Sequence, residues 1–239
     1  MTAPARADDS PARMAGAWAG VWQLLRVLAA VLLLAAVVAQ FADSYREAQQ
    51  ATEPYAAHLP TVVANFFSFF TIDSNISSAV VLVLSAVAFW RGREAPWIDV
   101  LLACVSTYMI ITGIVYNSLL RGIESTASVV PWSNEVLHVV GPLFLLADVL
   151  LAPRRRALPW TAVWAIVSFP VVWAVYTLLR ANAITSPGTG NPWWYPYPFL
   201  DPHLQGGYGG VALYIVGIAA AMALVGSGVV GVSRLRARG

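Results

Sequence analysis

Six long apolar runs constrain this chain more than any other feature of its sequence. They cover residues 18–40, 61–90, 97–120, 132–152, 158–181 and 209–233. An α-helix needs about 20 predominantly apolar residues to cross the hydrocarbon core of a bilayer, and each run is long enough. The sequence therefore predicts an all-α, polytopic membrane bundle of six transmembrane helices.

The composition supports this class and excludes several others. The chain is 59% hydrophobic and only 11% charged, whereas about a quarter of a soluble domain is charged. Its net charge of +2 is too small to indicate a nucleic-acid partner. The single cysteine, Cys104, excludes an intramolecular disulfide, and His58, His138 and His203 lack the spacing of metal ligands. We therefore expect no cofactor and no metal, membrane lipids as the surroundings, and an oligomeric state that the sequence leaves open.

The distribution of arginine predicts the topology. Ten of the 14 arginines lie in the N-terminal tail, the second and fourth connections and the C-terminal tail, against Arg46, Arg121 and Arg180 in the other connections. Because basic residues accumulate on the cytoplasmic side, we expect both termini in the cytoplasm. This gives a disordered cytoplasmic tail (1–17), a transmembrane domain (18–233) and a basic cytoplasmic tail (234–239).

Two further expectations concern the location of the protein. All basic residues are arginine and alanine is abundant, which is typical of a GC-rich bacterial genome and favours a bacterial plasma membrane. A cleaved secretory signal is the rival interpretation of the first run. That run is longer than the apolar core of most signals, which favours a retained helix.

The second run becomes abruptly polar in the stretch NFFSFFTIDSNISS, residues 65–78. On one helix, Ser68, Thr71, Asn75 and Ser78 would form a single polar stripe. A polar stripe within a membrane must face protein or water rather than lipid. The stripe therefore predicts either a cavity inside the bundle or hydrogen bonds to neighbouring helices.

Helical rise brings polar residues of three runs to a similar depth. From the expected cytoplasmic ends, Thr71 lies about 30 Å away, Tyr116 about 28 Å and His138 about 24 Å. Tyr108 and Thr112 share a helix face with Tyr116. Thr71, Tyr116 and His138 are expected in the outer part of the bilayer.

This coincidence predicts a minimal site for acyl transfer. A threonine hydroxyl is a poor nucleophile unless a base such as imidazole takes its proton, so we interpret Thr71 as the nucleophile and His138 as the base. Asn134 or Glu135, one turn earlier, would orient the imidazole, and the sequence does not say which. Asp73 lies about 200° around the helix from Thr71 and has no evident partner. The residues expected to contact substrate are Asn75, Thr112, Tyr116, Asn134 and Glu135.

Arg26 lies about 12 Å inside the first run. An unpaired charge at that depth is costly. Asp148 lies at a similar depth in the fourth run, and Asp99 is near the same side of the membrane. We therefore expect Arg26 to pair with Asp148 or, failing that, with Asp99.

The fifth connection is rich in tryptophan and tyrosine over residues 193–203. Amphipathic aromatic residues of this kind commonly anchor a protein at the membrane interface. A lid over a site is the alternative interpretation.

Three segments carry a resemblance to a known family: FFSFFTIDSN (66–75), WSNEVLHVVGPLFLLADVLLAPRRR (132–156), and WWYPYPFLDP with GGYGGV (193–202 and 206–211). They resemble the bacterial Pr-six-Pr family of six-span membrane proteins, over roughly residues 18–235. That family looks like a distant relative of the animal androgen-induced protein family of hydrolases, which cleave fatty acid esters of hydroxy fatty acids. The resemblance implies a membrane-embedded nucleophile at Thr71 and a histidine at His138.

Two classes of function follow from these observations. The first is an intramembrane hydrolase of lipid esters, whose acyl-chain substrate would enter sideways from the bilayer. The second is a membrane transporter or scaffold without enzymatic activity. No run is interrupted by a central Gly/Pro pair of the kind found in transporters, although Pro142 and Pro170 lie inside runs.

Overall fold

The structure is a computed structural model that describes residues 11–93, 95–123, 129–153 and 156–238. Within these ranges the protein is all-helical, and six helices are long and apolar enough to cross a membrane. The predicted fold class is therefore confirmed. The first ten residues of the predicted N-terminal tail lie outside the described residues, as do Arg154 and Arg155 in the fourth connection and Gly239 at the end of the predicted C-terminal tail.

Eight α-helices follow one another within the described residues. They are α1 (Pro11–Gln50), α2 (Leu59–Phe66), α3 (Phe70–Trp90), α4 (Pro96–Val115), α5 (Pro131–Glu135), α6 (Gly141–Leu151), α7 (Ala162–Ala181) and α8 (Tyr208–Arg236). A π-helical turn, Tyr116–Leu120, extends α4, and a second, Val136–Val140, joins α5 to α6 into one span. Pro96 and Pro131 occupy first helical turns, where the missing N–H of proline has no helical partner to lose.

The first helix is longer than the sequence predicted. It begins at Pro11 rather than residue 18 and continues to Gln50, so the polar connection expected at residues 41–60 shrinks to residues 51–58. No glycine or proline interrupts residues 41–50, and the ring of Phe41 packs 5.1 Å from that of Phe66 on α2. Tertiary contact therefore continues the helix past the apolar run.

The second apolar run is not one helix, contrary to the prediction for residues 61–90. The chain leaves the helix after Phe66 and begins α3 at Phe70, with extended backbone at Phe69 (φ −74°, ψ 126°). Ser68 lies in this break, so it does not belong to the stripe shared by Thr71, Asn75 and Ser78. Thr71, Asn75 and Ser78 are all buried on α3, as expected for a polar stripe that faces protein rather than lipid.

The core is organised around α3 and α4. Helix α3 packs between α1 and α4, and α4 also contacts α6, α7 and α8. A first apolar cluster joins α1, α3, α4 and α6 through Leu33, Leu82, Met109 and Leu145. A second cluster joins α4, α7 and α8 and includes Tyr108, Ile166 and Met222. Helix α4 thus supports both halves of the bundle.

The charge in the first span has the partner that the sequence predicted. The guanidinium of Arg26 binds both carboxylate oxygens of Asp148, at 2.8 and 3.0 Å. The Trp22 indole N–H donates to the same carboxylate at 2.6 Å, and Arg26 also donates to Ser85. Asp99 instead approaches Arg156 at 3.9 Å. The predicted Arg26–Asp148 pair is confirmed, and it ties α1 to α3 and α6.

The two ends of the bundle differ in their contacts. At the end where α8 finishes, Arg236 donates to the carbonyls of Val149 and Ala152 near the end of α6. At the opposite end, the start of α3, the end of α7 and the aromatic connection meet, as the bond from Arg180 to Asn65 illustrates. We call the end where α8 finishes the termini end, and the end where α3 begins the site end.

Candidate active site

Thr71 is the second residue of α3 and lies directly after the break. Its side chain is buried. Because the first four amides of a helix have no intrahelical acceptor, the N–H of Thr71 is free to bond elsewhere, and it donates to the hydroxyl of Tyr197 at 3.1 Å. The break thus places a hydroxyl and an available amide at the positive end of the α3 dipole.

His138 faces Thr71 from the span formed by α5 and α6. Its Nε2 lies 3.3 Å from the Thr71 hydroxyl oxygen, and its Nδ1 lies 3.0 Å from the carbonyl oxygen of Asn134. A carbonyl only accepts hydrogen bonds, so Nδ1 carries the proton and Nε2 accepts the Thr71 hydroxyl proton. The structure therefore brings the two predicted residues together in the orientation that proton transfer requires.

The imidazole belongs to a π-helical turn, and a second such turn lies beside it. The ring of Tyr116 stacks on the ring of His138, with centroids 3.8 Å apart and an angle of 21° between the planes. The side-chain amide of Asn134 in turn donates to the Tyr116 hydroxyl at 2.6 Å. Single π-turns inside helices are frequent at functional sites. Here one turn carries His138, and the other carries Tyr116, which packs on one face of the imidazole.

Neither side chain suggested as the partner of the imidazole fills that role. Asn134 contributes its backbone carbonyl, while its side chain bonds Tyr116. Glu135 pairs with Arg121 at 2.9 Å, and both side chains are close to half exposed. A backbone group leaves no signature in a side-chain pattern, which is why sequence reasoning missed it.

A cavity of about 100 Å³ adjoins Thr71. Thr71, Thr112, Tyr116 and Tyr197 contribute polar side chains to its wall. The remaining wall is apolar and comes largely from α4, α7 and α8: Phe70, Ile111, Val115, Leu120, Val167, Pro170, Val171, Trp173, Ala174, Phe199, Leu200, Ile215, Ile218, Ala219 and Met222. The cavity thus suits an apolar chain that carries a polar group.

Two of the five residues expected to contact substrate, Thr112 and Tyr116, line this cavity. Asn75 lies behind the site, where its fully buried amide donates to the carbonyls of Thr71 and Leu137. Within the part of the chain that the structure describes, Asn75, Asn134 and Glu135 are absent from the cavity wall. Asn75 instead fixes α3 against the π-turn that carries His138.

Asp73 follows the expectation that it cannot share the cavity with Thr71. It lies in the first turn of α3 and is absent from the described wall of the cavity. Among the described residues, its carboxylate has no hydrogen-bond or ion-pair partner. A carboxylate in the first turn of a helix is nevertheless favoured by the helix dipole.

The aromatic connection folds over the site, as the lid interpretation required. Tyr197 reaches Thr71, and its hydroxyl lies 3.2 Å from Oγ1. Trp194 packs edge-on against Phe69, and Phe199 is buried against the start of α8. Burial raises the pKa of Tyr197 to about 12, so its hydroxyl stays protonated at neutral pH. Tyr197 is a site residue that sequence reasoning missed, although the aromatic run pointed to its loop.

Polar contacts from α7 stabilise the break before α3. The Trp173 indole N–H donates to the Ser68 carbonyl at 3.0 Å, which replaces the helical donor that this carbonyl lacks. The guanidinium of Arg180 donates to the Asn65 side chain at 2.7 Å and lies over the Trp194 ring. The position of Thr71 therefore depends on residues more than 100 positions away.

Comparisons with family models, curated proteins and solved structures found no match to this chain. The resemblance to the Pr-six-Pr family therefore stays a prediction.

Proposed function

We propose that this protein is an intramembrane hydrolase of lipid esters, with Thr71 as the nucleophile and His138 as the general base. The observation that carries the proposal is the 3.3 Å contact between Thr71 Oγ1 and His138 Nε2, together with the place of Thr71 in the wall of a largely apolar cavity. Hydrogen-bond contact between a nucleophile and its base, with the base oriented by a third group, is the arrangement that activates a hydroxyl.

The reaction runs in two halves. In the first, Oγ1 bonds to the ester carbonyl carbon while its proton passes to Nε2, and the carbonyl π electrons move to the oxygen. The tetrahedral intermediate then collapses, the carbon–oxygen bond to the alcohol breaks, and the alcohol oxygen takes the proton from His138. In the second half, water replaces the alcohol in the reverse sequence, releasing the carboxylic acid and restoring Thr71.

The surroundings of the cavity support a lipid substrate. Helix α7 contributes five residues to the wall, yet only 17% of the residues in its most apolar window are buried inside the protein, which leaves an outer face available to lipid. An acyl chain in the bilayer is therefore separated from the cavity by a single layer of helices. We place the protein in a bacterial plasma membrane, on the arginine pattern of its connections and its arginine-only basic content.

The direct test is hydrolysis of 4-nitrophenyl decanoate by protein purified in detergent. Thr71→Val removes the hydroxyl at nearly constant shape and should abolish turnover, whereas Thr71→Ser keeps a hydroxyl and should retain activity. His138→Ala should lower kcat about 10²- to 10⁴-fold, the usual contribution of a general base. The double variant Thr71→Val/His138→Ala should be hardly worse than Thr71→Val, because the two groups act as a unit.

A matched control is available on α4. Thr107 is buried and bonds its own helix at Ala103, away from the cavity, so Thr107→Val should leave turnover unchanged. A phosphonate ester probe provides a second readout, because the adduct should map to Thr71 and vanish in Thr71→Val. Turnover at the wild-type level in both Thr71→Val and His138→Ala would refute the hydrolase and favour the transporter or scaffold.

A further inference from the structure

The hydroxyl of Tyr197 lies beside two polar atoms of Thr71, the amide nitrogen and the side-chain oxygen. It is 3.1 Å from the Thr71 amide nitrogen and 3.2 Å from Thr71 Oγ1. Tyr197 therefore contacts both the nucleophilic hydroxyl of Thr71 and the backbone amide of the same residue.

The direction of each hydrogen bond follows from the number of protons available. The Thr71 hydroxyl has one proton, which points to Nε2 because that nitrogen is an acceptor. The Tyr197 hydroxyl accordingly donates to Oγ1 and accepts from the Thr71 N–H. Both donors therefore lie next to the nucleophilic oxygen: the phenol O–H points at Oγ1, and the amide N–H points at the phenol oxygen.

This geometry matches what acyl transfer requires beyond a nucleophile and a base. The intermediate carries its negative charge on an oxygen one carbon away from Oγ1, and donors about 2.7–3.1 Å from that oxygen stabilise it. Because the two donor atoms are 3.1 Å apart, a single oxygen atom can accept from both. The positive end of the α3 dipole favours the same charge.

We infer that Tyr197 is a catalytic residue whose hydroxyl forms an oxyanion hole together with the Thr71 amide, an inference that rests on the proposed hydrolase function. As Oγ1 bonds to the carbonyl carbon, the Tyr197 O–H turns from Oγ1 to the oxygen that gains the electron pair. The Thr71 N–H turns from the phenol oxygen to the same atom. The phenol keeps its proton throughout, because Tyr197 only donates a hydrogen bond and no proton or electron moves to or from it. The site is then complete only when the lid is in place.

Contacts that hold the lid in this position are present on both sides of Tyr197. Its ring stacks on Phe199 with centroids 5.1 Å apart and lies 5.7 Å from the ring of Phe69. Phe199 and Leu200 are themselves buried. Replacing tyrosine by phenylalanine therefore keeps the packing and removes only the donor.

The test compares Tyr197→Phe with Tyr195→Phe, which removes a hydroxyl from the same loop where it contacts Tyr208 instead of the site. With 4-nitrophenyl decanoate, Tyr197→Phe should lower kcat about 10²- to 10³-fold, the usual loss for one oxyanion donor, and leave KM within about threefold. Tyr195→Phe should match the wild type. A merely structural role would raise KM or lower the unfolding temperature.

A second readout separates binding of the intermediate from binding of the ester. An alkyl trifluoromethyl ketone adds to the nucleophile as a tetrahedral mimic, so its affinity should fall in Tyr197→Phe by the same factor as kcat/KM. If Tyr197→Phe fails to fold, fluorinated tyrosines at position 197 keep the shape, and kcat should follow their acidity. Wild-type kcat in folded Tyr197→Phe, or kcat independent of phenol acidity, would overturn this inference. The hydrolase itself would survive those results, because it depends on Thr71→Val.

Discussion

Asp148 shows how a single buried carboxylate organises the termini end of the bundle. Its side chain is fully buried, and it accepts hydrogen bonds from the guanidinium of Arg26 and the indole of Trp22. Replacing a buried ion pair by apolar residues is often neutral, but removing one partner leaves the other charge uncompensated. The free energy of unfolding should therefore fall when only one of Arg26 and Asp148 is removed, and much less when both are replaced by apolar residues.

We expect Asp148→Asn to lower the free energy of unfolding by about 3–5 kcal/mol, because it leaves the Arg26 charge buried without a counter-ion. Thermal or denaturant unfolding in detergent measures the loss. Asp43→Asn is the control, since its partner Arg46 is exposed and such surface pairs contribute about 0–1 kcal/mol. Equal stability of Asp148→Asn and the wild type would contradict the argument.

Residue chemistry also decided which parts of the site the sequence could predict. Thr71 and His138 were identifiable because polar side chains are scarce at that depth and helical rise allows their heights to be compared. The carbonyl of Asn134 was not, because every residue has one. Asn75 was assigned to the cavity from helical spacing alone, which places a residue on a face but does not say whether that face meets a cavity or another helix.

At the scale of elements, hydropathy predicted all six spans but not the break before α3. The stretch FFSFFT contains no glycine or proline, so nothing local ends the helix. The partners of the exposed backbone groups come from elsewhere: Trp173 for the Ser68 carbonyl and Tyr197 for the Thr71 amide. A break stabilised by residues so distant in sequence cannot be read from local pattern, yet it creates the helix N-terminus at which Thr71 lies.

Removing the Trp173 indole should therefore destabilise the non-helical segment before α3. Trp173→Phe leaves the Ser68 carbonyl without its indole partner, which should cost about 1–3 kcal/mol and speed hydrogen exchange of the amides around residues 69–73. Trp164→Phe is a matched control on the same helix, because Trp164 is 79% exposed. Hydrogen exchange measured by mass spectrometry compares the two variants. Equal exchange in both would show that the indole contact does not stabilise the break.

At the scale of the whole molecule, the site lies at one end of the bundle, and the start of α1 and the end of α8 lie at the other. Among the described residues, Arg46, Arg121 and Arg180 lie towards the site end. Seven others lie towards the other end: Arg13, Arg91, Arg93, Arg156, Arg234, Arg236 and Arg238. Several of the latter also have structural roles, as when Arg234 donates to the carbonyl of Leu158. Such contacts do not remove the charge, so the orientation rule still applies to these residues.

Both termini should consequently face the cytoplasm, with the site end on the other side of the membrane. Alkaline phosphatase, which is active only outside the cytoplasm, should remain silent when fused after Gly239. The same reporter fused after Asn191, in the connection between α7 and α8, should be active because five spans precede it. An active fusion at Gly239 together with a silent one at Asn191 would reverse the orientation. The lipid-ester substrate would then come from the cytoplasmic leaflet, while the internal geometry of Thr71, His138 and Tyr197 would be unaffected.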